Sequence, residues 1–311
     1  MNNSKNIRFI AALALVIALT LVSCTASATP VATEAPQSTQ EIVIGLSLSD
    51  LSNPFFISVQ DGAQEAADRL GATLIVNDAS NDSAIQTQQI QAMLDKKVNV
   101  LLINPVDSDA IGSVIQAANT AGVPVITVDR SASSGEVVSH IASDNVAGGV
   151  MAGDYLAELL GKTGNIVELE GITGTSAAKD RGTGFNEAMA AYSNITIVAH
   201  EVAEFDRITA KQVFAELLDQ YPDINGVFAH NDSMILGAME AAQEAGRTGI
   251  VFVGFDAVDE AVDAVEKGTL SATVAQQPTE IGRLSVETAI KYLDGETAPI
   301  FIPVELALVH K

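Results

Sequence analysis

From Ile42 onward the chain alternates short apolar runs with longer amphipathic segments, and this alternation restricts the fold more than any other feature. "IVIGLSLS", "ATLIVND", "VNVLLIN", "VPVITVDR", "NIVELEG", "ITIVAHE", "NGVFAHND", "IVFVGFD" and "SATVAQQ" read as strands, with helical sequence between them. The first helix is marked at both ends: Asn53 caps it, Pro54 sits in its first turn and Gly71 stops it. Continuous apolar strands bounded by helices imply parallel sheets covered on both faces. The chain reads as an α/β protein, and its 311 residues suffice for two domains.

The ends of these strands carry the polar residues. "VPVITVDR" turns abruptly from a buried strand to Asp129 and Arg130, and two charges at such a place cost desolvation unless something pairs with them. Other strands end alike: "VLLIN" in Asn104, "GVFAHND" in Asn231 and Asp232, "IVFVGFD" in Phe255 and Asp256, while "IVIGLSLS" soon reaches Asn53. Open α/β sheets bind ligands outside the carboxyl ends of their strands, so a set of amides and acids there points to a polar ligand. Asn104 and Asp129 are 25 residues apart, as are Asn231 and Asp256, a modest sign of two similar domains whose polar rims face each other across a cleft.

Composition narrows the partners. The net charge of −23 argues against a nucleic-acid partner, because phosphate binding needs a basic face. Lys5 and Arg8 precede the apolar run Phe9 to Val22, which is short for a membrane span and reads as a secretory signal over residues 1–23. "LVSC" follows, and Cys24 is the chain's one cysteine. That tetrapeptide resembles the bacterial lipoprotein box, which implies lipidation at Cys24. Residues 24–40 then read as the lipidated cysteine and a flexible tether, with the folded part starting near Glu41.

Enzyme signatures are thin. The sequence has no GxSxG elbow, no GxxxxGK[ST] phosphate loop and no HExxH or Cys/His metal spacing, so neither a metal nor a cofactor is expected. "DASND" (Asp78 to Asp82) lacks the Gly and distal Glu of a calcium loop. His230 precedes Asn231 at a strand end, yet nothing in the sequence pairs it with a nucleophile. Phe55 and Phe56 fall in the first turn of a helix, and Phe205 and Phe255 lie beside acidic residues at element ends. Core packing accounts for many phenylalanines. Flat rings beside Asn, Asp and Arg, however, are what a sugar requires: its C–H faces stack, and its hydroxyls take paired hydrogen bonds.

"NPFFISVQDGAQEAA", "LLINPVDSDAIG", "GEVVSHIASDN", "GITGTSAAKDRGTGF", "FDRI", "VFAHNDSMILGA", "VGFD" and "TVAQQP" together resemble the ribose binders of the bacterial periplasmic sugar-binding family, almost continuously from Glu41 to the C-terminus. The resemblance implies two Rossmann-like three-layer α/β/α domains of the type I periplasmic binding protein kind, hinged at three crossovers near Ser143, Gln276 and Pro303–Glu305. One domain would comprise 41–143 plus 277–304 and the other 144–276 plus 305–311. It places stacking aromatics on Phe55, Phe56 and Phe205, with Phe255 as an apolar neighbour, and hydroxyl partners on Asn53, Asn104, Asp129, Arg130, Arg181, Asn231, Asp256 and Gln276. His230, Ser233 and Ala257 depart from the residues expected at their positions, which bears on the surroundings of the site.

What the resemblance implies is a monomeric, lipid-anchored, extracytoplasmic protein that binds D-ribose and delivers it to an ABC permease by hinge closure. A chemoreceptor is a further partner, and the membrane is touched only through the lipid. The alternatives are a binder of a related monosaccharide, such as allose or another furanose or pyranose, and a secreted sugar-processing enzyme. The enzyme would need an acid of raised pKa beside a second carboxylate, for which Asp129 and Asp256 are the candidates. Arg130 and Arg181 are expected to keep nearby acids ionised, which favours binding without catalysis.

Overall fold

Buried apolar strands satisfy their backbone groups by pairing side by side, and here they assemble into two six-stranded sheets. The protein is described by a computed structural model covering residues 41–311. The expected signal, Cys24 and the tether lie outside the described residues. Elements in chain order are β1 (Val43–Leu48), α1 (Pro54–Leu70), β2 (Thr73–Asp78), α2 (Ser83–Asp95), β3 (Val100–Ile103), α3 (Gly112–Thr120), β4 (Val125–Val128) and β5 (Ser139–Ser143). There follow α4 (Asn145–Leu159), β6 (Gly164–Glu170), α5 (Ser176–Met189), β7 (Ile195–Val202), α6 (Arg207–Gln220), β8 (Ile224–Ala229) and α7 (Asp232–Glu244). The chain ends with β9 (Val251–Asp256), α8 (Asp259–Lys267), β10 (Ala272–Ala275), α9 (Pro278–Leu293), β11 (Phe301–Val304) and β12 (Ala307–His310). Among the described residues no helix is long and apolar enough to cross a membrane.

The first sheet runs β11-β5-β4-β3-β1-β2 and the second β12-β10-β9-β8-β6-β7. Each sheet is sandwiched between two apolar clusters, one per face, as parallel strands require. The strand orders are equivalent, so β3 matches β8 and β4 matches β9. Asn104 and Asn231 therefore leave corresponding strands, and so do Asp129 and Asp256, which accounts for their equal spacing.

The chain passes from the first sheet to the second after Ser143, returns after Ala275, and leaves again after Val304. Its last strand alone departs from the parallel set among the described residues: β12 pairs antiparallel with β10. The reason is geometric. The two sheets present their carboxyl ends to each other, and only Glu305 and Leu306 join β11 to β12. A chain that runs out of one carboxyl edge straight into the other must oppose the strands it meets.

Both lobes also hold helices in backbone contact. A Cβ on Gly184 of α5 would lie 1.9 Å from the Val146 carbonyl oxygen of α4, and one on Gly149 of α4 would lie 2.2 Å from that of Arg181. Gly62 of α1 and Gly282 of α9 meet each other's helices in the same way, each at 2.0 Å. This close approach fixes α5, and with it Arg181, against the lobe. Gly184→Ala should therefore lower unfolding stability by about 1–3 kcal/mol through overpacking. Urea unfolding of the variant beside the parent chain measures it; unchanged stability would show that the α4–α5 contact has slack.

Candidate functional site

The carboxyl ends of both sheets converge on a narrow cavity. Its lining includes ten of the twelve residues singled out from the sequence: Asn53, Phe55, Phe56, Asp129, Arg130, Arg181, Phe205, Asn231, Asp256 and Gln276. The other two, Asn104 and Phe255, stand behind the wall. Both are fully buried.

From the first lobe, Asn53 uses its Oδ1 to cap α1 by accepting from the Phe55 N–H at 3.0 Å. Cap geometry thereby aims its side chain at the cavity mouth and sets Phe55 and Phe56 in the first turn, edge to face at 5.2 Å. Asn104 is fully committed: its Oδ1 accepts from the Ser49 N–H, and its Nδ2 donates to the Val128 carbonyl and, at 3.2 Å, to Asp129 Oδ2. It holds the Asp129 carboxylate in place from behind. Asp129 itself sits at φ 61°, a left-handed conformation that turns its side chain off the end of β4. Arg130 donates to the Pro105 carbonyl at 3.2 Å, and its guanidinium lies 5.4 Å from the Phe56 ring and 5.3 Å from that of Phe205.

From the second lobe, Arg181 is locked on three sides. Its Nε donates to Asn145 Oδ1 at 2.8 Å, its terminal nitrogen donates to the His230 carbonyl at 2.5 Å, and its plane rests 3.9 Å from the Phe255 ring. The same guanidinium lies 3.6 Å from Asp256 Oδ1, which also accepts from Gln276 Nε2 at 2.7 Å. Asn231 caps α7 through the Met234 N–H and donates from Nδ2 to the Phe205 carbonyl. Phe205 (φ 58°), Asp256 (φ 118°) and Ala257 (φ 56°) all carry positive φ, so strained backbone is concentrated at the rim.

Three polar atoms of this wall are buried without a hydrogen-bond partner among the described residues: Asp129 Oδ1, Arg130 Nε and Gln276 Oε1. Two are acceptors and one is a donor. Such atoms are rare in folded proteins because each costs about 1–3 kcal/mol. Three around one cavity mark a place completed by a molecule that both donates and accepts. Sequence reasoning missed Ala177, which lines the cavity, and Asn145, which orients Arg181. A lone alanine carries no chemical signal. Asn145 follows Asp144, the α4 cap, and reads as part of that turn.

Burial opposes the hold of the arginines on the acids in this enclosed state. Burial raises the pKa of Asp129 despite Arg181 and Arg130, and raises Asp256 to about 7 despite Arg181 and Gln276. Burial also lowers Arg130 to about 10, which leaves it charged at neutral pH. With water removed, the loss of hydration outweighs the ion-pair attraction.

Residues 44–297 match the family model described as a periplasmic binding protein domain. The chain belongs to that family. It is 46% identical over 299 residues to the ribose import binding protein RbsB of Escherichia coli K12, covering 96% of this chain and 98% of that one. Identity to RbsB of Bacillus subtilis 168 is 44% over 269 residues, covering 86% and 87%. Among solved structures, an ABC transporter solute binding protein from Mycobacterium smegmatis with bound glycerol superposes with a TM-score of 0.84 at 37% identity, covering 87% of this chain and 94% of that one. A periplasmic solute binding protein from Actinobacillus succinogenes with bound D-allose gives 0.83 at 32%, covering 87% and 98%. The two-lobed architecture is thus the type I periplasmic binding protein fold, and the relatives are solute-binding proteins.

Protonation couples to enclosure with a definite sign. Asp256 holds its proton up to about pH 7 when enclosed and titrates near the ordinary carboxylate value when hydrated, so proton uptake favours the enclosed form as pH falls from 7 toward 4. Small-angle scattering of the ligand-free protein should show a smaller radius of gyration at pH 5 than at pH 8. Asp256→Asn should flatten the dependence. Expansion on acidification would contradict the sign.

Proposed function

We propose that this protein binds D-ribose between its lobes and delivers it to an ABC permease, closing on the sugar by hinge motion. The observation that carries the reading is the set of unpartnered wall atoms, Asp129 Oδ1, Arg130 Nε and Gln276 Oε1. Adjacent sugar hydroxyls supply donors to the first and third and an acceptor to the second. The rings of Phe56 and Phe205 offer apolar faces to the C–H surfaces of the same molecule. Kinship with the curated ribose import binding proteins supports the pentose.

On this reading Asn53, Phe55, Phe56, Asp129, Arg130, Arg181, Phe205, Asn231, Asp256 and Gln276 contact the sugar, while Asn104 and Phe255 hold Asp129 and Arg181 ready. The hinge comprises the three passages between sheets, with lobes of 41–143 plus 277–304 and 144–276 plus 305–311. Contacts from both lobes stabilise the closed form, so the sugar shifts the equilibrium toward it. The two carboxylates act as hydrogen-bond acceptors and no sugar bond is broken. The protein works outside the cytoplasm, held to the membrane through a lipid on Cys24. A related monosaccharide is the second reading, favoured by the D-allose complex of the similarly folded A. succinogenes protein.

Titration calorimetry with D-ribose, D-allose and D-galactose tests the ligand. One-to-one heat, tightest with ribose, is expected; silence with ribose beside heat from another sugar would reassign the ligand. Asp129→Ala and Arg130→Ala should each weaken binding by two orders of magnitude or more, with little loss of thermal stability. Parental affinity in either variant would remove it from the site, and turnover of the sugar would overturn a role confined to binding.

A further inference from the structure

On the second sheet, away from the cavity lining, three metal-ligating side chains converge. Glu168 and Glu170 are two residues apart on β6 and so share a face, and His200 stands directly opposite Glu168 on the edge strand β7. His200 Nδ1 lies 2.7 Å from Glu168 Oε2 and 3.7 Å from Glu170 Oε1, and the three donor atoms all fall within 4.8 Å of one another.

The charge there is unbalanced. Glu168 is completely buried, and among the described residues no lysine or arginine comes within 4.0 Å of it or of Glu170. The Gly171 N–H donates to His230 Nδ1 at 3.3 Å, so the ring proton sits on Nε2 and donates to Glu168 Oε1 at 2.9 Å. Asn186 Nδ2 donates to Oε2 at 3.0 Å. Glu168 is therefore oriented by two outer groups, and His200 stands beside it and Glu170 on the open side. Outer hydrogen bonds to a buried carboxylate, with a further carboxylate and an imidazole beside it, are the surroundings of a metal ligand.

We propose that Glu168, Glu170 and His200 bind one divalent first-row transition-metal ion. Carboxylate and imidazole donors suit Zn²⁺ and its neighbours, and bonds of about 2.0–2.2 Å require only small adjustments of the donor separations seen here. On binding, the His200 ring proton resides on Nε2 and the Nδ1 lone pair faces the ion. His200 and Glu170 side chains are 44% and 38% exposed, so the ion enters from solvent and keeps a position for water. His230, whose side chain meets Glu168, also holds Arg181 through its carbonyl.

The test uses the full chain without an affinity tag, stripped of metal by a chelator and titrated with Zn²⁺ by calorimetry. One ion per chain is expected, with His200→Ala and Glu170→Gln each weakening it roughly tenfold or more. Both positions lie outside the cavity lining, so sugar affinity serves as the folding control. Co²⁺ in place of Zn²⁺ should give a nitrogen–oxygen spectrum with no thiolate charge-transfer band, which separates this site from Cys24. Absence of Zn²⁺ binding, or an affinity unchanged in both variants, would overturn the proposal.

Discussion

Two guanidinium groups and two carboxylates occupy one small buried space between the sheets, and the rest of the architecture exists around that constraint. Isolated charges cannot be buried so deeply, and even paired ones break even only with good geometry and further hydrogen bonds. Neighbouring groups accordingly hold them in position, with Asn104 behind Asp129, Phe255 beneath Arg181, and Asn145 and the His230 carbonyl at the edges of that guanidinium. The pairs themselves are loose, at 3.9 Å for Arg130–Asp129 and 3.6 Å for Arg181–Asp256. Those distances leave Coulomb attraction without saturating the hydrogen-bonding atoms. A polyhydroxylated guest fits the remaining valences on the proposed reading.

The repeated strand order explains how one chain builds such a place. Equivalent strand ends, β3 with β8 and β4 with β9, deliver an Asn and an Asp from each lobe, and the carboxyl ends meet because the connections run between them. Close helix packing through Gly149 and Gly184 then fixes α5, and strain at Asp129, Phe205 and Asp256 is borne where the walls meet the cavity. A rigid lobe on each side with charged faces toward the gap is a device suited to opening and closing.

Much of this was legible in the sequence. Apolar runs such as "VLLIN" and "VFVGF" report buried strands directly, and Asn53, Pro54 and Gly71 mark α1 to the residue. Of the ten residues at the cavity, Asn53, Asp129, Arg130, Asn231 and Asp256 followed from where strands end, Phe55, Phe56 and Phe205 from rings set beside polar residues, and Arg181 and Gln276 only from the family resemblance. Other features depend on contacts that no local pattern records. The antiparallel pairing of β12 is set by the facing of two lobes, not by its four residues. The upward pull of burial on the pKa values of Asp129 and Asp256 works against the two arginines, and residue types alone do not report that opposition. Glu168 and His200, 32 positions apart, become neighbours only through strand register.

The central claim is that the unpartnered atoms of the cavity wall are the sugar's partners, and a crystal structure of the D-ribose complex tests it most directly. The account predicts sugar hydroxyls within hydrogen-bonding reach, about 2.7–3.2 Å, of Asp129 Oδ1, Arg130 Nε and Gln276 Oε1 together. A sugar seated elsewhere, or one that leaves these three atoms bound to protein or water, would contradict it.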